Sequence, residues 1–133
     1  MAEENVEIVR RLVGAFNRDD VREVVAAFDE NCELDEPPEM PDGTARGFRG
    51  RDGIREWMIN LRETGAVHFE PRSFRISGDL VVSEWAASGR GQVSEVPFEW
   101  TTFVVFRIRA GKVVRAQGFL SAKEALEAAG LSE

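Results

Sequence analysis

The sequence predicts an α+β fold in which a curved antiparallel sheet wraps around three helices from the N-terminal half of the chain. Apolar residues at helical spacing dominate the first half, whereas four long runs rich in Val, Phe, Trp and Thr fill the second half. The turns between these runs are short, which forces neighbouring strands to pair antiparallel. A length of 133 residues, with 43% hydrophobic and 31% charged residues, fits one globular domain over residues 1–133.

Two short helices open the chain and should pack as a hairpin. The apolar stripe of the first helix consists of Val6, Val9, Leu12, Val13 and Phe16. Asp20 followed by Glu23 is a capping box that begins the second helix. The residues predicted to form the buried face of that helix are Val21, Val24, Val25 and Phe28.

A short strand, a loop and a third helix follow. Residues 32–35 are predicted to form the strand. Three prolines and three glycines within the fifteen residues 36–50 predict a loop without regular structure. Asp52 is predicted to cap the third helix and Gly65 to end it. The apolar residues of this helix at steps of three and four are Ile54, Trp57, Met58 and Leu61.

The second half of the chain predicts four long strands and a closing helix. The strands cover roughly residues 67–76, 80–90, 94–109 and 112–120. Strongly twisted long strands curl into a half-barrel, and three helices across its mouth leave a cavity between helices and sheet. Ser121 and Glu124 form a capping box for the closing helix.

Charge and cysteine content restrict the partners and the compartment. The net charge of −7 disfavours nucleic acid and anionic membrane, because both require Lys and Arg to neutralise phosphates. The exception is a local cluster of Arg46, Arg49, Arg51 and Arg55, which is either a solvated loop or a contact to an anionic substrate. With Cys32 as the single cysteine, no intrachain disulfide can form, as in a reducing compartment. No apolar run of membrane-spanning length and no signal-peptide pattern occur, so we expect a cytoplasmic protein.

The run from Phe48 to Trp57 contains the pattern G-x-x-G-I-R-x-W. It resembles the G-x-x-G-I-R-x-F/W segment of SnoaL-like proteins, which belong to the nuclear transport factor 2-like and ketosteroid isomerase-like superfamily. The run from Gly111 to Arg115 is similar to their last hairpin, and the run from Glu124 to Leu131 is similar to their C-terminus. The resemblance covers nearly the whole chain and implies a cone-shaped, cystatin-like α+β barrel. It is weak for activity, because this fold hosts cyclases, isomerases, epoxide hydrolases and non-catalytic binders.

The functional residues of the family are matched position by position. The general base of ketosteroid isomerases, an aspartate before a proline, falls on or next to Glu36, which precedes Pro37. Their oxyanion-hole tyrosine falls on Leu12, and their second acid and the cyclase histidine fall near Val104. The acidic residue of cyclases and epoxide hydrolases on the last strand falls near Gly118. The resemblance therefore implies one retained carboxylate without its partners, which argues against steroid isomerase chemistry.

Glu36 is the candidate catalytic residue, as a general base whose pKa burial would raise. The competing interpretation is a solvated loop acid, and Asp35 is the alternative if the strand register differs by one residue. His68, the only histidine, is read as a partly exposed strand residue, since no serine or cysteine nucleophile signature accompanies it. One His and one Cys argue against a His/Cys metal site, and we expect no cofactor.

The expected pocket is apolar and lies on the inner face of the sheet. Alternation along the third long strand, together with the family register on the fourth, predicts the inward residues, and the small Ala116 and Gly118 would leave space. The predicted lining residues are Leu12, Phe16, Trp57, Leu61, Trp100, Thr102, Val104, Phe106, Ala116, Gly118 and Leu120. The competing interpretation makes Trp57, Trp85 and Trp100 core or dimer contacts. On the outer face Thr101, Phe103 and Val105 are too apolar for solvent, which favours a homodimer through that face.

Three functions follow from these patterns. The first is a SnoaL-like domain whose pocket binds a small apolar organic molecule. Cyclic molecules, such as polyketide-like and steroid-like compounds, belong to this class of ligand. The second is a cyclase-, isomerase- or epoxide hydrolase-like enzyme with Glu36 as base. The third is a non-catalytic dimeric interaction domain whose core is filled by Trp57, Trp85 and Phe106.

Overall fold

The computed structural model describes residues 2–37, 47–64, 67–90 and 96–131. These residues form an α+β fold in which a curved sheet packs against helices, so the predicted fold class is confirmed. None of the helices in these ranges is long and apolar enough to cross a membrane. In chain order the elements are α1 (Ala2–Asn17), α2 (Val21–Ala26), β1 (Phe28–Asp35), β2 (Gly47–Arg49), α3 (Gly50–Thr64), β3 (His68–Ser77), β4 (Leu80–Arg90), β5 (Pro97–Arg109), β6 (Lys112–Phe119) and α4 (Ala122–Ala128).

The six strands form one unclosed sheet in the order β2-β1-β6-β5-β4-β3. The four strands β3 to β6 pair antiparallel through short turns, as expected. β1 differs, because it pairs parallel to β6, with Leu34 opposite Ala116. A parallel pair needs a long connection, and here most of the chain separates the two strands. The sheet is therefore mixed rather than wholly antiparallel.

Several boundaries differ from those predicted. Phe28 does not lie on α2 but begins β1, which is longer than the predicted strand. Within the predicted loop, the segment Gly47–Arg49 forms β2 and pairs antiparallel with β1. α3 begins at Gly50, so Asp52 is not its cap but lies in its first turn. Gly65, the predicted end of this helix, lies outside the described residues.

The two predicted capping boxes are present in the structure. The Asp20 carboxylate accepts the Glu23 N–H at 3.1 Å, and the Ser121 hydroxyl accepts the Glu124 N–H at 3.4 Å. Each side chain satisfies a backbone donor that has no partner within its own helix. These local contacts begin α2 and α4.

The main core fills the space between the helices and the inner face of the sheet. Along β5 the inward residues Thr102, Phe106 and Ile108 are buried, whereas Thr101 and Arg109 are exposed. This alternation follows from the two-residue period of a strand. The fully buried large side chains of the described residues include Phe28, Phe106, Ile54, Val9, Val24, Val81 and Val113.

A second, smaller core lies on the outer face of the sheet, under α4. Ala125 and Ala129 pack there against Val82 and Val105, and Phe103 contacts the same cluster. Phe103 and Val105 are therefore covered by the chain's own C-terminal helix. Packing under α4 accounts for the apolar character of these two residues, so they no longer call for a homodimer, which stays a prediction.

Asn17, the last residue of α1, fixes this helix to the edge of the sheet. Its side-chain amide donates to the Phe69 carbonyl at 2.8 Å, and its carbonyl oxygen accepts the Phe69 N–H at 3.0 Å. β3 is an edge strand, so without this contact the outward-directed N–H and C=O of Phe69 would lack strand partners. One side chain thus imitates a neighbouring strand and positions α1 across the sheet.

We expect Asn17→Ala to destabilise the domain by about 1–3 kcal/mol, because two part-buried backbone groups lose their partners. Chemical denaturation measures this free energy of unfolding. The matched control is Asn31→Ala, at an exposed position of β1, for which we expect a change within about 0.5 kcal/mol. Equal effects of the two substitutions would show that the contact between Asn17 and Phe69 does not stabilise the fold.

Candidate active site and binding cavity

An apolar cavity of about 70 Å³ lies between α1, α3 and the inner face of the sheet. Its wall combines aliphatic and aromatic side chains from both helices with inward residues of five strands. The lining residues are Leu12, Val13, Phe16, Phe28, Leu34, Asp35, Glu36, Pro37, Trp57, Leu61, Phe69, Trp85, Trp100, Thr102, Val104, Phe106, Ala116 and Gly118.

Five aromatic rings run in sequence along one wall of the cavity. The ring centroids of Trp57 and Phe16 lie 5.4 Å apart, and those of Phe16 and Phe69 lie 5.0 Å apart. The series continues from Phe69 to Trp85 at 5.0 Å and from Trp85 to Phe106 at 5.7 Å. Tilted pairs at these distances are favourable beyond their burial and hold each ring in place. The wall therefore joins α3, α1, β3, β4 and β5 into one packed unit.

The predicted lining residues lie around this cavity, except for Leu120, which follows the end of β6 and is not part of the wall. Gly118 was expected to leave space, but Pro37 occupies it. A Cβ at residue 118 would lie 2.7 Å from the Pro37 Cδ. The sequence left the orientation of Trp85 open and did not indicate Phe69 as a lining residue. The register of β3 and β4 against β5 decides whether these two side chains face the cavity. The structure pairs Trp85 with the inward Thr102.

Glu36 lies at the cavity, half-buried, directly before the buried Pro37. Asp35, the alternative acid, also borders the cavity, but its carboxylate is committed elsewhere. It accepts from Arg49 at 3.3 Å and from Arg115 at 3.5 Å. Two guanidinium groups therefore hold the Asp35 carboxylate. Of the two acids, Glu36 is the one placed to meet a molecule in the cavity.

The other candidate residues lie away from the cavity. His68 is exposed at the start of β3, whereas Cys32 is buried in the core. Burial raises the pKa of the Cys32 thiol, which disfavours the nucleophilic thiolate. In the described part of the chain, no group of three or more His, Cys, Asp or Glu residues is arranged to hold a metal ion.

The arginine cluster makes contacts within the chain. Arg49 pairs with Glu33 and Asp35 on β1. Arg51 Nε donates to the Phe28 carbonyl at 3.1 Å, and Arg55 pairs with Asp52 at 2.7 Å. The contacts of Arg49 and Arg51 join β2 and the start of α3 to β1, whereas the pair of Arg55 and Asp52 lies within α3. Arg46, the fourth member, lies outside the described residues.

The fold is that of a nuclear transport factor 2-like domain. The model of the SnoaL-like domain family matches residues 9–116, so the chain belongs to this family, as its sequence motifs indicated. No curated protein matches the sequence.

Solved structures share the fold over nearly the whole chain. A nuclear transport factor 2-like protein from Burkholderia xenovorans is 26% identical, with 97% of each chain covered and a TM-score of 0.77. A protein with a ketosteroid isomerase-like fold from Catenulispora acidiphila, in complex with trimethylamine, is 20% identical (95% of this chain, 94% of that chain, TM-score 0.76). The epoxide hydrolase/cyclase-like enzyme SalBIII, of pyran ring formation in the polyether salinomycin, is 23% identical (91% and 93%, TM-score 0.77). The last two likenesses establish a shared fold only.

We expect Gly118→Ala to destabilise the domain by about 1–3 kcal/mol, because the new methyl group overlaps the Pro37 ring. Chemical denaturation of the two single variants and of the Gly118→Ala/Pro37→Ala double variant measures the coupling free energy between the two positions. The double variant should be less destabilised than the sum of the two single variants. Gly14→Ala is the matched control. Its Cβ would meet only the end of the Arg18 side chain, at 3.4 Å on a helix. We expect stabilisation of about 0.5–1 kcal/mol there, so destabilisation by both substitutions would contradict the proposed contact.

Proposed function

We propose that this SnoaL-like domain binds a small, mostly apolar organic molecule in the cavity between α1, α3 and the sheet. The observation that carries the proposal is the cavity wall itself, which consists almost wholly of aliphatic and aromatic side chains. Apolar cavities of this kind are poor sites for water and favourable ones for apolar ligands. Glu36 adds a carboxylate that can orient a polar group of the ligand.

The volume of the cavity limits the size of the ligand. An engineered protein cavity of about 150 Å³ accommodates benzene, and this cavity measures about 70 Å³. A polyketide or steroid would therefore place only one end inside it. A molecule with few heavy atoms could lie inside completely, as a molecule of the size of trimethylamine would. Cyclopentanone has six heavy atoms, like benzene, and exceeds this volume, so as a first probe it tests whether one end of a small cyclic molecule enters the cavity.

We expect cyclopentanone to bind and to shift the amide resonances of the lining residues in a ¹H–¹⁵N titration. Ala116→Val adds two methyl groups to the inner face of β6 and should weaken this binding about tenfold or more. The control is Ala86→Val, which adds the same volume on the outer face of β4 and should leave the affinity unchanged. If no small cyclic probe binds, the non-catalytic interaction domain becomes the better interpretation.

A second candidate function is proton abstraction by Glu36, favoured by the position of this carboxylate at the cavity. In such a reaction the C–H bond next to a ligand carbonyl breaks, the proton moves to a Glu36 oxygen, and the electron pair forms an enolate. Leu12 and Val104 line the cavity at the positions of the family's donors, and neither can stabilise the enolate oxygen. The reaction therefore requires a donor from elsewhere in the wall.

If Glu36 is a base, the protein should catalyse exchange of the α-protons of cyclopentanone for deuterium in D₂O, which NMR follows directly. Glu36→Gln keeps the shape of the side chain and should lose at least about 90% of the enzymatic rate, since general base catalysis contributes factors of about 10² or more. Glu33→Gln, on the outer face beside Arg49, is the control and should retain the rate. Full exchange by Glu36→Gln would remove Glu36 from this role.

A homodimer through the outer face of the sheet and a cytoplasmic location stay predictions. Because α4 covers Phe103 and Val105, a dimer would use the part of the face around Ala86, Glu99 and Thr101. That surface mixes polar and small side chains, in keeping with a weak rather than an obligate interface.

A further inference from the structure

We infer that the indole N–H of Trp85 is a hydrogen-bond donor to the ligand, so that the ligand is a neutral apolar molecule with an oxygen acceptor. A ketone, an ester or an ether has this chemistry. The inference rests on the proposed binding function, because it assigns the chemical class of the molecule in the same cavity.

The first observation is an unpartnered polar atom in an apolar wall. Trp85 lines the cavity, is 5% exposed, and its buried Nε1 has no acceptor among residues 2–37, 47–64, 67–90 and 96–131. Nearly all buried polar groups in proteins have a hydrogen-bond partner, and a buried tryptophan usually finds one for its N–H. The exception at Trp85 therefore points to a hydrogen-bond acceptor that does not belong to the described residues.

The surroundings of the ring are mostly apolar. Phe69 and Phe106 flank the indole, with ring centroids at 5.0 and 5.7 Å. The strand register places Pro71 and Thr102 opposite Trp85. The Pro71 side chain has no polar atom, and the Thr102 hydroxyl is hydrogen-bonded to the Phe119 carbonyl at 3.3 Å and not to the indole.

A ligand in the cavity can supply the missing acceptor. The nitrogen is covered in this structure, so the bond forms when the indole tilts towards the cavity that the ring already borders. Tilting recovers the hydrogen bond that the buried N–H lacks, which favours a ligand with an acceptor over a hydrocarbon of the same shape. An anionic acceptor would lose its hydration in this mostly apolar cavity, which favours a neutral oxygen.

The assignment also fills a gap in the catalytic hypothesis. The positions at which the family resemblance places donors are occupied by Leu12 and Val104, which have no polar side-chain atom. The Trp85 N–H would polarise the same carbonyl oxygen from β4 instead. Trp85 is then a specificity-determining residue for binding, whether or not Glu36 abstracts a proton.

The test compares cyclopentanone with methylenecyclopentane, which has the same shape but lacks the oxygen. We expect Trp85→Phe to weaken cyclopentanone binding about three- to tenfold and to change methylenecyclopentane binding less than about twofold, as for loss of one neutral hydrogen bond. The matched control, Trp57→Phe, removes an indole from the same aromatic wall and should affect both probes equally. In the unmodified protein the Trp85 Nε1–H resonance should move downfield with the ketone and not with the alkene.

The outcomes separate the two proposals. If both probes bind the unmodified protein, but Trp85→Phe weakens them equally and the Nε1–H resonance does not move, the donor role of Trp85 is wrong and the binding function stands. If neither probe binds, both the binding function and the donor role of Trp85 are wrong. The resonance measurement needs no substitution, so it decides the question even if Trp85→Phe does not fold.

Discussion

The contact between Pro37 and Gly118 determines how the chain leaves the sheet, and the candidate site depends on it. β1 runs parallel to β6, with Asp35 opposite Gln117. Because Gly118 has no side chain, Pro37 can pack closely against β6 at this residue, where a Cβ would lie only 2.7 Å from the Pro37 Cδ. This packing brings Glu36 to the cavity wall. A side chain at residue 118 would overlap Pro37, the residue that follows Glu36.

The size of the cavity follows from how tightly the remaining wall is packed. Asn17 fixes the end of α1 to the edge strand through two hydrogen bonds to Phe69, so Phe16 lies against the Phe69 ring. The aromatic series then continues through Trp85 to Phe106 on the neighbouring strands. Such interiors approach the density of organic crystals and deform only at a cost. A cavity between closely packed aromatic rings selects ligands by shape, and a ligand that accepts from the Trp85 N–H must offset the cost of tilting this ring.

The sequence was sufficient where local chemistry determines structure. The capping residues Asp20 and Ser121, the apolar stripes of the helices and the inward alternation along β5 follow from contacts within a few residues. Leu12 and Val104 were placed at the cavity through the family resemblance. Features that depend on distant segments could not be predicted in this way. They include the parallel pairing of β1 with β6, the inward face of Trp85, the α4 cover over Phe103 and Val105, and the occupation of Gly118 by Pro37.

Asp35 and Glu36 are adjacent in sequence but have different surroundings, so the register of β1 decides which acid is directed to the cavity. Asp35 is directed to the outer face, where Arg49 and Arg115 bind its carboxylate. Glu36, one residue further, belongs to the inner side because successive residues of an extended chain alternate. A shift of one residue would place the arginine-bound acid in the cavity and the other acid outside. The fold therefore determines which of the two acids is directed to the cavity.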